Sequence, residues 1–139
     1  MERWILADTS ALVGLFFKGD EWHEPAVREL EELRRARRKM LSTTDVFSET
    51  VTSIRKWAGY DRAVEVGEML KRSTLVRLVS VDGELREEGW KRFVKFKFPA
   101  VSLTDCTSFA LMDRFGIKDA FTFDDDFRKA GYRVFPGRT

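Results

Sequence analysis

The stretch Val101 to Phe127, VSLTDCTSFALMDRFGIKDAFTFDDDF, decides the fold. Asp105 stands at the start of an apolar-periodic helix that Gly116 terminates, and the short apolar strand Ala120 to Phe123 then runs into Asp124, Asp125 and Asp126. One other stretch is comparable. Trp4 to Ala7, within a strand beginning at Arg3, reads as buried, closes on Asp8, and is followed by a helix start at Thr9 and Ser10. Strands that are apolar on both faces lie inside parallel sheets, and in open α/β sheets chemistry collects in the crevice at the strands' carboxyl ends. Asp8 and Asp124 are therefore expected to meet at one edge.

The rest of the chain alternates in the same way. Helices are expected over Ala11 to Phe17, from Asp20 or Glu21 through the apolar positions Val27, Leu30 and Leu33, and over Val46 to Ala58 behind an Asp45 cap. Further helices follow at Asp61 to Arg72, Glu84 to Phe96 behind Asp82, Asp105 to Phe115 behind Thr104, and Asp126 to Ala130. Met40 to Thr43, Leu75 to Val79 and Tyr132 to Phe135 read as strands. Parallel neighbours need crossover connections, so the pattern predicts a single α/β domain over residues 1–139, with a three-layer α/β/α build and a central, mainly parallel sheet.

Composition narrows the function classes. A chain of 139 residues with 43% hydrophobic and 35% charged residues is an ordered domain with an adequate core. Its net charge of +2 argues neither for nor against a nucleic-acid partner. One Cys and one His exclude an intramolecular disulfide and a Cys- or His-rich metal site. The apolar run in MERWILADTS is too short for a signal peptide and no stretch is long enough to span a membrane, so a cytoplasmic protein without a membrane partner is expected.

Several carboxylates stand where local structure does not require them: Asp8 at a strand end, Glu49 and Asp105 in the first turns of helices, Asp124 and Asp126 after the last central strand. Taken singly, Glu49 and Asp105 have a plainer reading as partners of a helix dipole. Taken together, converging acids repel by about 4 kcal/mol per pair at ~4 Å, so the arrangement calls for a counter-ion. Oxygen-only ligands select hard cations such as Mg²⁺ or Mn²⁺, which suit hydrolysis of phosphodiesters.

The motifs LADTSALVGLF, the Glu49 of VFSET, SLTDCTSFALM and AFTFDDDF resemble those of the PIN-domain family, and within it the VapC-type toxins of prokaryotic toxin-antitoxin pairs. The resemblance covers essentially the whole chain. It implies an α/β/α nuclease fold, Mg²⁺- or Mn²⁺-dependent cleavage of RNA, frequent homodimers and a cognate antitoxin. By resemblance, Asp8 and Asp105 match the principal metal ligands, and Glu49 matches an acid that helps hold metal or orient water. Asp124 is favoured as the fourth acid, with Asp126 as a helper; Thr9, Ser10 and Thr122 are candidate hydrogen-bond donors to the ligands, or else caps and strand ends.

Other features carry two readings. The basic run Arg34 to Lys39 is either an RNA or antitoxin contact or a solvated helix end. In WKRFVKFKF, Trp90, Phe93 and Val94 read as the core face of an amphipathic helix more readily than as a base clamp, while Phe96 and Phe98 suit a dimer contact. His23 is assigned no catalytic role, Cys106 reads as a packed small residue, and the four tryptophans as core. A receiver domain or a haloacid dehalogenase-type phosphatase fits poorly: no Lys follows a late strand in the expected place, and Ser10 stands two residues after Asp8. Two alternatives to a toxin remain: an RNA-processing nuclease without an antitoxin, and a PIN fold that binds RNA or protein without cutting.

The chain contains no Asn and no Gln beside abundant Glu, Lys and Arg, which matches a thermophile's composition. Thermal unfolding is expected well above the mesophile range of about 45–65 °C; a midpoint inside that range removes this reading.

Overall fold

The computed structural model describes residues 3–137, so the outermost ends of the expected 1–139 domain lie outside the described residues. Five strands form one parallel sheet in the order β3-β2-β1-β4-β5: β1 (Trp4–Ala7), β2 (Lys39–Thr43), β3 (Val76–Val79), β4 (Asp119–Phe121) and β5 (Arg133–Phe135). Leu6 registers with Leu41 on one side and Ala120 on the other, so β1 is central. The chain first moves outward from β1 to β2 and β3, then returns to β4 on β1's other side and continues to β5. This reversal places a topological switch point between β1 and β4.

Alternate residues of the strands feed two cores. Ile5, Ala7, Met40, Val76 and Phe121 pack with α1 (Thr9–Phe16), α2 (His23–Arg35), α3 (Thr44–Ala58) and α4 (Tyr60–Arg72). Leu6, Leu41, Ala120 and Val134 pack with α5 (Gly83–Lys95), α6 (Leu103–Phe115) and the short α7 (Asp126–Lys129). The expected three layers are present.

Local chemistry shifts several expected boundaries. Thr43, not Asp45, caps α3 by accepting from the Val46 amide, and Asp45 instead pairs with Arg86. Ser102, not Thr104, caps α6: its hydroxyl accepts from the Asp105 amide at 3.0 Å while Asp105 Oδ2 accepts from the Ser102 amide at 3.1 Å. This reciprocal box satisfies two orphan donors at once. Helix α2 begins at His23 and not at Asp20 or Glu21, and its inward face carries Ala26 and Leu33 while Val27 is exposed. A Cβ at Gly14 of α1 would lie 3.2 Å from Ala26 Cβ, so the glycine lets α1 and α2 approach closely.

The largest departure concerns α5. Its buried residues are Leu85 and Gly89, whereas Trp90, Phe93 and Val94 are exposed. Gly89 sits against Thr107 of α6, so the helices approach along the glycine and the aromatics are turned outward. Phe96 and Phe98, expected at a dimer contact, instead stack at 5.1 Å and join the second core, Phe96 meeting Phe109 edge-on. They anchor the loop that leads into α6.

Arg34 to Lys39 joins α2 to the start of β2, at the amino edge of the sheet. There Arg38 binds Asp119 at 2.9 Å, and Arg133 binds the same carboxylate at 2.6 Å. The basic run is thus remote from the carboxyl edge and partly structural. A Cβ at Gly89 would lie 2.5 Å from Thr107 Oγ1 and 3.0 Å from Thr107 Cα. Gly89→Ala is therefore expected to destabilise the fold by roughly 1–3 kcal/mol in denaturant unfolding, despite alanine's helix preference; an unchanged or raised stability counts against the close α5-α6 contact.

Candidate active site

Three carboxylates converge at the switch point. Asp8 follows β1, Asp124 lies three residues past β4, and Asp105 occupies the first turn of α6. One oxygen from each lies within 4.8 Å of the others. Asp8 and Asp105 are buried and Asp124 is half-buried. Asp8 stands at the N-cap of α1 yet makes no side-chain capping bond, so helix capping does not explain its identity.

Its carboxylate is held instead from the first turn of α1 and from the residue that follows β4. Thr122 and Ser10 donate hydroxyl bonds to Asp8 Oδ2 at 2.8 and 3.1 Å. The Phe123 amide donates to Ser10 Oγ and the Asp124 amide to Thr122 Oγ1, both at 2.9 Å. These bonds tie the start of α1 to the turn after β4. Asp105 is fixed differently, with Oδ2 committed to the Ser102 box.

Glu49 and Asp126 stand apart from the trio. Glu49, exposed in the second turn of α3, lines the same cleft and accepts from Thr9 Oγ1 at 2.9 Å. Asp126 is buried; its amide donates to Asp124 Oδ1, so it shapes Asp124 through the backbone while its own Oδ2 lacks a hydrogen-bond partner. Cys106 is fully buried, and burial, then the Asp105 charge, pushes its thiol up to about 11, which suits packing and not nucleophilic chemistry. His23 spends Nδ1 on the Gly14 carbonyl at 2.7 Å.

The cleft measures about 740 Å³ and is lined also by Asp20, Glu21, Trp22, Ser53, Trp57 and Ser102. Sequence reasoning missed Ser102, although the Ser-x-x-Asp spacing marks a capping box, and missed Ser53 and Trp57, which follow Glu49 at intervals of four on one helix face. Core packing does not hold for every tryptophan: Trp22, Trp57 and Trp90 are all exposed.

Charge in the cleft is one-sided. Among the described residues lining it there is no Lys or Arg. Burial, opposed by the Thr122 hydroxyl, raises the Asp8 carboxyl to about 6, and the Asp124 charge adds to the rise. Burial and then the Asp8 and Asp124 charges push Asp105 up to about 8. An oxygen-only donor set with uncompensated negative charge fits a hard divalent cation, with Asp8, Asp105 and Asp124 as its holders.

Both raised groups bind protons more tightly in the folded chain than in the unfolded one. The folded state is thus favoured below the ordinary carboxylate range and loses that advantage as pH rises through about 6 and about 8. Chelator-treated protein is expected to unfold at falling temperature between about pH 5 and about pH 8, and Asp105→Asn to flatten the fall. A wild-type midpoint that climbs across this window contradicts the electrostatics.

Residues 5–131 match the model of the PIN domain. The chain is 34% identical over 129 residues to proteins named 23S rRNA-specific endonuclease VapC20 from two Mycobacterium tuberculosis strains, CDC 1551 / Oshkosh and H37Rv, covering 92% of this chain and 95% of each relative. The crystal structure of Mycobacterium tuberculosis VapC20, described as a sarcin-ricin loop cleaving toxin, superposes with a TM-score of 0.83 at 32% identity, covering 92% of this chain and 95% of that one. With a parallel sheet of this topology, an acidic switch point and a family match over most of its length, the chain belongs to the PIN domain family.

Proposed function

We infer that this chain is a divalent-metal-dependent endoribonuclease of the VapC toxin type, hydrolysing phosphodiester bonds in RNA. The observation that carries this reading is the trio Asp8, Asp105 and Asp124, two buried and one half-buried carboxyl groups with no basic residue among the described residues lining the cleft. Bound Mg²⁺ or Mn²⁺ supplies charge neutralisation, polarisation of a phosphoryl oxygen and a more acidic water. Every other role falls to the protein. The Ser10 and Thr122 hydroxyls orient Asp8 through Oδ2, and the Ser102 box fixes the rotamer of Asp105. Glu49, steadied by Thr9 at Oε1, stands on the cleft wall to orient a water and accept its proton.

The relatives' names point to 23S rRNA and its sarcin-ricin loop, and an RNA hairpin carrying that loop is the substrate to test first. A cognate antitoxin, a homodimer, a cytoplasmic location and a thermophilic source complete the proposal; among the described residues no helix is long and apolar enough to cross a membrane.

Asp8→Asn and Asp105→Asn are expected to lose at least ~100-fold in RNA cleavage, and Ser10→Ala or Thr122→Ala roughly 10–100-fold, since groups that orient a ligand matter nearly as much as the ligand. Millimolar Mg²⁺ or Mn²⁺ should raise the wild-type unfolding temperature but leave Asp8→Asn little changed. Full activity in either Asn variant removes the assignment.

A further inference from the structure

The cleft presents a problem for any polyanionic substrate. Asp8, Asp20, Glu21, Glu49, Asp105 and Asp124 line it, with no basic residue among the described lining, so phosphate contacts inside it repel away from the metal. Affinity must come from contacts that do not depend on charge. Trp22 and Trp57 offer such contacts, from α2's leading end and from α3, on either side of α1. Trp22 is already occupied: its ring stacks on Phe123 at 4.9 Å with planes 4° apart, and it forms a fixed wall. Trp57 is different. It is 63% exposed, the most open large aromatic among the described residues, yet it shares a helix face with Glu49 and Ser53 and reaches the same cleft. The Lys56 ammonium lies 5.1 Å from its ring centroid, the cation nearest this wall in sequence.

We propose that Trp57 is a base-stacking platform: a nucleotide flanking the scissile phosphate lays its base on the indole, and Lys56 meets the adjoining phosphate. The inference rests on the endoribonuclease reading for the identity of the substrate. Its physics is general. Every base has a π-face, so stacking on an exposed aromatic holds single-stranded nucleic acid without reading its sequence, and a neighbouring cation adds phosphate attraction at the rim. An indole 63% exposed costs little stability to remove, and equal unfolding temperatures check this.

Two measurements on wild type, Trp57→Ala and Trp57→Phe decide the matter: RNA hairpin cleavage with Mn²⁺, and binding of single-stranded oligouridine in chelator, followed by tryptophan fluorescence and fluorescence anisotropy of labelled oligonucleotide. Trp57→Ala is expected to raise both KM and the dissociation constant by on the order of 10-fold with kcat essentially unchanged, and Trp57→Phe to recover most of the loss. Equal unfolding temperatures establish that the variants are folded. If wild type cleaves and Trp57→Ala retains its KM, the platform is overturned while the nuclease stands. If wild type fails to cleave but oligouridine binding still depends on Trp57, the nuclease reading falls and the platform stands. Wild-type protein that neither cuts nor binds overturns both.

Discussion

Three carboxyl groups, two buried and one half-buried, within a few ångströms of one another are the constraint around which this molecule is arranged. A pair of such charges 4.8 Å apart repels by about 3.5 kcal/mol at an effective dielectric of about 20, a large fraction of a small domain's stability. The fold brings them together because a parallel sheet that reverses its strand order opens a crevice beside its central strand, and Asp8 and Asp124 both lie past carboxyl ends bordering it. Asp105 arrives from a third direction, delivered by a loop pinned through Phe96 and Phe98 to Phe109.

The two ends of β4 form a useful contrast. At its amino end the nearly buried Asp119 is neutralised by Arg38 and Arg133, in contacts that join β4 to the β2 and β5 starts. Past its carboxyl end Asp8 is held by neutral donors, the Ser10 and Thr122 hydroxyls, which are themselves positioned by the amides of Phe123 and Asp124. Neutral donors orient a carboxylate without cancelling its charge, which leaves that charge for a cation. The same residue type thus serves as a structural tie at one edge and stands in the candidate metal cluster at the other, and the difference lies in the neighbours.

Much of the fold was legible in the sequence because strands with continuous apolar character, such as Trp4 to Ala7, have few alternatives to a parallel sheet, and because glycines mark helix ends plainly. Gly116 does so in the left-handed conformation. What could not be read was orientation. A stretch such as Trp90-Lys91-Arg92-Phe93-Val94 has an amphipathic face on paper, but Gly89 sets the true contact, and only the closeness of Thr107 reveals it. Capping was ambiguous for a related reason: in Thr43-Thr44-Asp45 and in Ser102-Leu103-Thr104 more than one side chain can cap, and the backbone conformation chooses. The meeting of Asp8 and Asp124 followed from topology, whereas the place of Asp105 beside them came from the family resemblance. The separate positions of Glu49 and Asp126 did not follow from topology, since they depend on where α3 leans and on which way one turn after β4 points.

Asp8 is tethered across the sheet to Thr122, a residue 114 positions later in the chain. Synthesis from the amino end therefore exposes Asp8, with Ser10 beside it, long before Thr122 has been made. Through most of translation the nascent chain holds one acid of the trio, then two, and β1 waits for a neighbour that can only be inserted once β4 has emerged. The ribosome making this protein is thus separated in time from any ribonuclease that the finished fold assembles, by the order of residues along the chain alone.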